Sequence, residues 1–159
     1  MKAKHTFFVS VGSTDFDDLI RAVDLHATSL NLKGIMQIGN GKYKPKNFPF
    51  FRFADSLQPF YKNASFAVAH GGLATTMEIL REGVPLVSVS NPDRYDNHQE
   101  DLLKIMEKKG YLIWCRQIEK IGESINMVMT RNLNTYNPPE CKIHIYIDQF
   151  LKKEQILTE

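Results

Sequence analysis

Hydrophobic positions along the chain alternate between two periods. Short runs of β-branched and aromatic residues predict strands, and the segments between them carry apolar residues at spacings of three and four, which is typical of helices. The predicted strands are residues 6–11, 34–38, 50–53, 65–69, 85–89 and 111–114. The first predicted helix begins near residue 15, and its apolar stripe extends to Leu30. The other predicted helices cover residues 57–61, 73–81, 96–109 and about 117–129.

The strand at residues 65–69 (SFAVA) is apolar at almost every position, which is typical of a strand buried on both faces. Strands of this kind that alternate with helices predict an α/β fold, with a parallel sheet covered by helices on both faces. Gly83 and Gly110 stand where two of these helices should end.

The last thirty residues have a different pattern. Residues 131–140 are rich in Asn and Pro and should be irregular. Beyond them, apolar residues fit one stripe of an amphipathic helix: Ile143, Ile147, Phe150 and Leu151. The isoleucines at 143, 145 and 147 also alternate at strand period, but the length of residues 142–157 favours a helix.

Composition excludes several classes of protein. A chain of 159 residues with 43% hydrophobic and 24% charged residues is typical of one soluble globular domain, not of a disordered chain. The net charge of +2 is small for a protein that binds nucleic acid. Cys115 and Cys141 form no close pair, which favours reduced thiols. We see no signal sequence and no apolar run long enough to span a membrane, so we expect a cytoplasmic protein.

The loop at Gly12, Ser13 and Thr14 follows the first strand, and ligands of parallel sheets bind at the carboxyl ends of strands. The glycine permits close approach of the backbone, and hydroxyls and amides beside a helix N-terminus suit a phosphate. The alternative is a tight turn in which Thr14 caps the helix.

A second loop contains His70, Gly71 and Gly72, and Thr75 and Glu78 follow on the next helix. Amides at this helix N-terminus attract an anion, and the Glu78 carboxylate can accept two hydrogen bonds from a ribose diol. Histidine titrates near neutral pH, so His70 is a candidate general base. Alternatively, Glu78 is a solvated helix residue and His70 a strand-end residue whose hydrogen bonds are already satisfied.

A third loop leads into Asp96, Asn97, His98 and Gln99, whose donors and acceptors suit a sugar. The alternative is a helix cap at residue 93 or 96 with exposed neighbours. If the strands are parallel, all three loops project from one edge of the sheet. The three loops could then bind the diphosphate, the ribose and the sugar of one ligand.

At these residues the sequence resembles the C-terminal, donor-binding half of family 28 glycosyltransferases, over roughly residues 7–125. The matching motifs are residues 11–14 with Phe16 and Asp17, residues 65–72 with Glu78, residues 83–85, and residues 97–99. The pattern is similar to short members that form the catalytic subunit of a two-chain UDP-sugar transferase, of the bacterial exopolysaccharide type or the dolichol-linked N-acetylglucosaminyltransferase type. The resemblance implies a GT-B fold, in which two Rossmann-like domains enclose the active site and this chain is the C-terminal half.

The resemblance also implies a role for each loop. Residues 1–130 would form the nucleotide-sugar-binding domain, and residues 131–159 a linker and an amphipathic helix that contacts the partner. The implied binding residues are Gly12, Ser13, Thr14, Gly71, Gly72, Thr75, Glu78, Asn97, His98 and Gln99. The base would be His70 or a residue of the partner.

The expected reaction is an inverting transfer of a hexose from a UDP-sugar to a lipid-linked acceptor. No Asp-x-Asp metal motif appears where a GT-A enzyme would need one, and the neighbours Asp17 and Asp18 point to different helix faces, so we expect neither metal nor cofactor. A membrane-anchored partner would supply the acceptor domain and recruit the chain to the cytoplasmic membrane face. The isolated chain should then show little or no transfer.

Two alternatives remain. The chain could be a non-catalytic accessory subunit of a separate transferase. It could also be a nucleotide-sugar epimerase, although those enzymes carry both domains in one chain, and 159 residues are too few for two.

Overall fold

The computed structural model describes residues 5–91 and 98–156. Its strands are β1 (Thr6–Ser10), β2 (Lys33–Gln37), β3 (Phe50–Phe51), β4 (Phe66–His70), β5 (Leu86–Val89) and β6 (Ile113–Cys115). They pair in parallel in the order β3-β2-β1-β4-β5-β6. This is the Rossmann strand order, with its switch point between β1 and β4. The predicted α/β fold with a parallel sheet is confirmed.

Helices cover both faces of this sheet, as the sequence predicts. They are α1 (Asp17–Ser29), α2 (Gln58–Lys62), α3 (Leu73–Arg81), α4 (His98–Lys108), α5 (Ile121–Thr130) and α6 (Ile143–Ile156), with a 3₁₀ turn at Ile118–Lys120. Buried side chains of α1 and α5 pack on one face of the sheet. Those of α2, α3 and α4 pack on the other. The core therefore has two layers, one on each side.

The central strands are buried on both sides because successive side chains point to opposite faces. In β1, Phe7 and Val9 pack towards α1 and α5, whereas Phe8 packs towards α2 and α3. The Phe8 ring is stacked with Phe51 and Phe60, at centroid distances of 6.2 and 5.3 Å. These aromatic contacts hold α2 and the end of β3 against the sheet.

Two helices end at the predicted glycines. Gly83 and Gly110 have φ angles of +69° and +73°, a region that side-chain-bearing residues rarely adopt. At the end of α3 the Gly83 amide donates to the Leu80 carbonyl and the Val84 amide to the Ile79 carbonyl, at 3.1 and 3.4 Å. This is the Schellman arrangement, which satisfies the last carbonyls of the helix.

The long connection between β2 and β3 is anchored to α1 by hydrogen bonds. The buried Asp24 carboxylate of α1 accepts hydrogen bonds from the Tyr43 hydroxyl and from the Lys46 and Asn47 amides. Strand β3 has two residues where four are predicted. It is short because the next carbonyl, that of Arg52, accepts from a side chain of β2 and not from a neighbouring strand.

Helix α6 confirms the helical interpretation of the chain's end, so the strand alternative is wrong. Residues 131–142 before it form neither helix nor strand. Most apolar side chains of α6 are exposed; Ile143 and Phe150 are both 63% exposed. Within the described residues, no helix combines the length and the apolar character needed to cross a membrane.

Candidate functional site

The loops after β1 and β4 meet at the switch point of the sheet. Ser10 and Ala69 pair across the two strands, so both strands end at the same level. A Cβ added to Gly12 would lie 3.0 Å from the His70 ring and 3.6 Å from the Thr75 hydroxyl oxygen. The structure therefore brings Gly12, His70 and Thr75 together, although they come from separate parts of the chain.

The His70 imidazole lies between two glycines. A Cβ at Gly72 would overlap its Nε2 atom, and one at Gly12 would be tightly packed against Cε1. The residue is 7% exposed, and its Nδ1 lies 3.5 Å from the Ser10 carbonyl oxygen. The histidine is thus enclosed by the two glycine loops and is not open at the sheet edge.

The first glycine loop adopts a defined turn. Gly12 has φ +63°, a conformation that favours glycine. The Thr14 hydroxyl donates to the Val11 carbonyl at 2.8 Å, and the N-cap of α1 is Phe16. The tight turn of that alternative is present, with the Thr14 amide donating to the Val11 carbonyl at 3.3 Å, but Thr14 does not cap the helix, so the cap assignment is wrong. Ser13 is exposed at the tip of the loop.

Gln99 lies beside the second glycine loop. A Cβ at Gly71 would be 3.4 Å from its Oε1 atom, which accepts from the Asn91 amide at 3.3 Å. The Asn91 side chain in turn donates to the Asp15 carbonyl at 3.3 Å. The loops after β1, β4 and β5 are therefore joined at one edge.

Two predicted site residues of the third loop have no described side chain. Asn97 lies outside the described residues, as do the cap candidates at 93 and 96. His98 is the first residue of α4, but its side chain is also outside them.

Glu78 lies one helical turn after Thr75 and is exposed. It lines a cavity of about 540 Å³ between α2 and α3, which we call the α2–α3 hollow. The other walls are residues 54–58, Tyr61, Arg81 and Glu82. The volume is in the range of ligand pockets.

Charges in the α2–α3 hollow are mainly acidic. Glu82 is held by the Lys62 ammonium at 3.8 Å and by the Gln58 side-chain amide at 2.6 Å. The Glu78 carboxylate makes no hydrogen bond or ion pair with any residue in the described part of the chain. The hollow therefore suits a neutral ligand group with hydroxyls, whereas the two glycine loops and the N-terminus of α3 suit an anion.

Three residues that hold the loops after β1 and β2 in place were not predicted from the sequence: Gln37, Asn40 and Arg52. Gln37 is 2% exposed and bonds to Gly12 on both its amide and its carbonyl. The Asn40 side chain donates to the Ser13 carbonyl at 2.7 Å. The sequence does contain one sign of this role, because Gln37 is a polar residue inside the apolar run at the carboxyl end of β2.

In residues 5–91 and 98–156, no three His, Cys, Asp or Glu side chains are grouped so that they could hold a metal ion. Both cysteines are free; Cys115 is buried and Cys141 exposed.

Comparisons with known proteins agree with this geometry. Residues 6–150 match the glycosyltransferase family 28 C-terminal domain. Human UDP-N-acetylglucosamine transferase subunit ALG13 is 35% identical over 121 residues, which are 68% of this chain and 11% of that protein. This chain thus spans about a tenth of the length of that relative.

Solved structures show the same fold. The crystal structure of Acinetobacter baumannii MurG has a TM-score of 0.67 at 20% identity, covering 85% of this chain and 44% of that one. The solution structure of ALG13 has a TM-score of 0.62 at 15% identity, covering 86% of this chain and 90% of that one. The fold is that of the C-terminal, Rossmann-like domain of GT-B proteins. The chain belongs to the glycosyltransferase family 28 C-terminal domain family.

Proposed function

We propose that this chain is the donor-binding, catalytic subunit of a split GT-B glycosyltransferase, which moves a hexose from a UDP-sugar to a lipid-linked acceptor with inversion. The product belongs to polysaccharide or glycolipid synthesis. One observation carries the proposal: two glycine loops meet at the switch point of the sheet, and the helix that follows one of them presents Glu78 to the adjoining α2–α3 hollow.

The diphosphate of the donor binds at the two glycine loops. Gly12 and Gly72 leave room for the His70 ring between the two loops, and Gly72 is the N-cap of α3. The positive end of the helix dipole then faces the phosphates. Electrostatic stabilisation of the departing diphosphate is the contribution of this chain to the transfer step.

The nucleoside binds in the α2–α3 hollow. Glu78 accepts hydrogen bonds from the ribose hydroxyls, which a carboxylate without another partner can do strongly. The apolar walls at Ala54 and Leu57 suit the face of a uracil ring. An anion would be repelled there by Asp55, Glu78 and Glu82, which supports placing the phosphates at the glycine loops.

The donor sugar lies beside Gly71, near Gln99, with Asn97 and His98 as further proposed contacts. The Asn91 amide already donates to Gln99 Oε1, so the Gln99 Nε2 amide is the group available to donate to a sugar hydroxyl.

The general base is His70 or a group on the partner. Because His70 is 7% exposed and its ring lies between two glycines, an acceptor hydroxyl would reach the ring only through the gap between the loops. This enclosure favours the partner as the source of the base. In that case His70, which lies between the two glycine loops, would contact the diphosphate instead of the acceptor.

The partner is proposed to be a membrane-anchored subunit that supplies the acceptor domain and recruits this chain to the cytoplasmic membrane face. The human relative is named a transferase subunit, and α6 exposes an apolar stripe that a partner would cover.

Glu78→Gln tests the donor site, because the change removes the charge and keeps the side-chain shape. We expect affinity for UDP and UDP-sugars to fall about ten- to a hundredfold, or ~1.5–3 kcal/mol, with an unchanged thermal midpoint since the residue is exposed. Calorimetry with a panel of UDP-sugars measures this. Glu119→Gln, at an exposed carboxylate beside the outer strand β6, is the matched control.

Equal affinities of wild type and Glu78→Gln would remove Glu78 from the site. A wild-type chain that binds no nucleotide sugar, alone or with its partner, would contradict the proposed function and favour an accessory subunit.

A further inference from the structure

Gln37 has an unusual environment for a strand residue. It is the last residue of β2, pairs with Ser10 of β1 and is 2% exposed. Its side-chain Oε1 accepts from the Ser10 hydroxyl at 3.0 Å, the Val11 amide at 3.1 Å and the Gly12 amide at 3.0 Å. Its Nε2 donates to the Gly12 and Arg52 carbonyls, both at 2.7 Å. Every hydrogen of this carboxamide is therefore used.

The orientation of the Gln37 carboxamide is fixed by these partners. The two backbone amides can only donate and the two carbonyls can only accept, so exchanging Oε1 and Nε2 would break four hydrogen bonds. Such a buried, fully satisfied polar group rigidifies its surroundings.

This side chain sets the direction of a peptide group in the first glycine loop. In a planar trans peptide, the carbonyl of one residue and the amide N–H of the next point in opposite directions. Gln37 holds the Gly12 carbonyl. The Ser13 N–H must then point away from Gln37, on the exposed side of the loop.

Neighbouring loops reinforce this arrangement. The Asn40 side chain holds the Ser13 carbonyl at 2.7 Å. The Arg52 guanidinium donates to the Gly39 and Gly41 carbonyls at 2.9 and 2.8 Å. With the bond from Gln37 to the Arg52 carbonyl, the loops after β1, β2 and β3 form one hydrogen-bonded unit centred on Gln37.

We propose that Gln37 is a positioning residue that aims the Ser13 amide at the diphosphate of the donor. This inference rests on the proposed function and deepens it, since it assigns the phosphate-binding geometry to a side chain that does not itself touch the ligand.

The test compares Gln37→Glu and Gln37→Met with wild type, using UDP and uridine as ligands in NMR titrations. Glutamate keeps an acceptor for the three donors but sets a carboxylate oxygen against the Gly12 and Arg52 carbonyls, which repel it. Methionine keeps the volume and makes none of the hydrogen bonds. We expect both variants to lose about tenfold in UDP affinity and to bind uridine as wild type does, because the α2–α3 hollow does not contain Gln37.

Asp24→Asn is the matched control. Asp24 holds the backbone at Lys46 and Asn47 of the same long loop without contacting Gly12, so the change should lower stability and leave the ratio of UDP to uridine affinity unaltered. A wild-type measurement keeps the inference testable if the Gln37 variants fold poorly. In hydrogen exchange, the Gly12 amide should be protected in the free protein, and the Ser13 amide should become protected only when UDP is added.

Equal loss of UDP and uridine affinity in the Gln37 variants would overturn the inference, as would a Ser13 amide whose exchange UDP does not change. Either result leaves the proposed function standing if wild type still binds UDP. A wild type that binds neither ligand overturns both.

Discussion

Tyr61 places a hydroxyl in the core beside the candidate site, where it is 1% exposed. Burial raises the pKa of Tyr61 from 10.0 to about 12, the Glu78 charge adds to the increase, and the Ser10 hydroxyl opposes it. The Ser10 side chain lies close enough to lower the pKa of Tyr61, but the two hydroxyls form no hydrogen bond of good geometry. The neutral form of Tyr61 is therefore favoured by the folded state.

Tyr61→Phe should reduce the loss of stability at alkaline pH. Between about pH 10 and about pH 12, unfolded wild type releases the tyrosine proton while the folded state keeps it, so the free energy of unfolding falls as pH rises through this window. The variant has no such proton. At neutral pH we expect it to be within about 1 kcal/mol of wild type, because no well-formed hydrogen bond is lost.

Urea unfolding at a series of alkaline pH values measures this slope. Tyr146→Phe, which removes an exposed hydroxyl on α6, is the control and should keep the wild-type slope. A Tyr61→Phe slope equal to that of wild type would contradict the assignment.

At the scale of elements, the end of α3 depends on one backbone conformation. Gly83 has φ +69°, and an added Cβ would find nothing within 4 Å. Any cost of a side chain there comes from the backbone and not from a steric clash with neighbours.

Gly83→Ala should lower the free energy of unfolding by about 1–2 kcal/mol, and Gly83→Asn by less, since asparagine tolerates the left-handed region better. Chemical denaturation measures both variants. If alanine and asparagine cost the same, backbone conformation does not explain the role of this glycine. UDP binding should be unchanged in both variants, because Gly83 lies at the end of α3 away from Gly72.

At the scale of the whole molecule, α6 stands out because its described side chains do not pack into the hydrophobic core. Its apolar residues are mostly exposed. We attribute this exposure to contact with the proposed partner.

A double substitution, Ile147→Lys with Phe150→Lys, should abolish co-purification with the proposed membrane-anchored partner. Both side chains are exposed, at 51% and 63%, so the thermal midpoint and the UDP affinity of the isolated chain should not change. Leu25→Lys, at a 58% exposed leucine on α1, is the matched control and should keep the partner bound. A complex that survives the double substitution would exclude α6 as the docking element.

Much of the fold could be read from local patterns. The alternation of two hydrophobic periods gave the element types, and Gly83 and Gly110 gave two helix ends, because both signals act over a few residues. Family membership also followed from motifs whose order and spacing are visible in one dimension. The short β3 and the anchored loop after β2 were not predicted, because distant partners, Gln37 and Asp24, hold them.

The sequence by itself determined the elements, the two apolar faces of the central strands and the glycine-bearing loops that follow them. Local hydrogen bonding and side-chain period fix these features within a few residues. Only the tertiary structure decided that β1 lies beside β4, that His70 is enclosed by glycines from two loops, and that Gln37 fixes the Gly12 peptide. Those features depend on which surfaces pack across long stretches of chain, and that choice is made by the whole core at once.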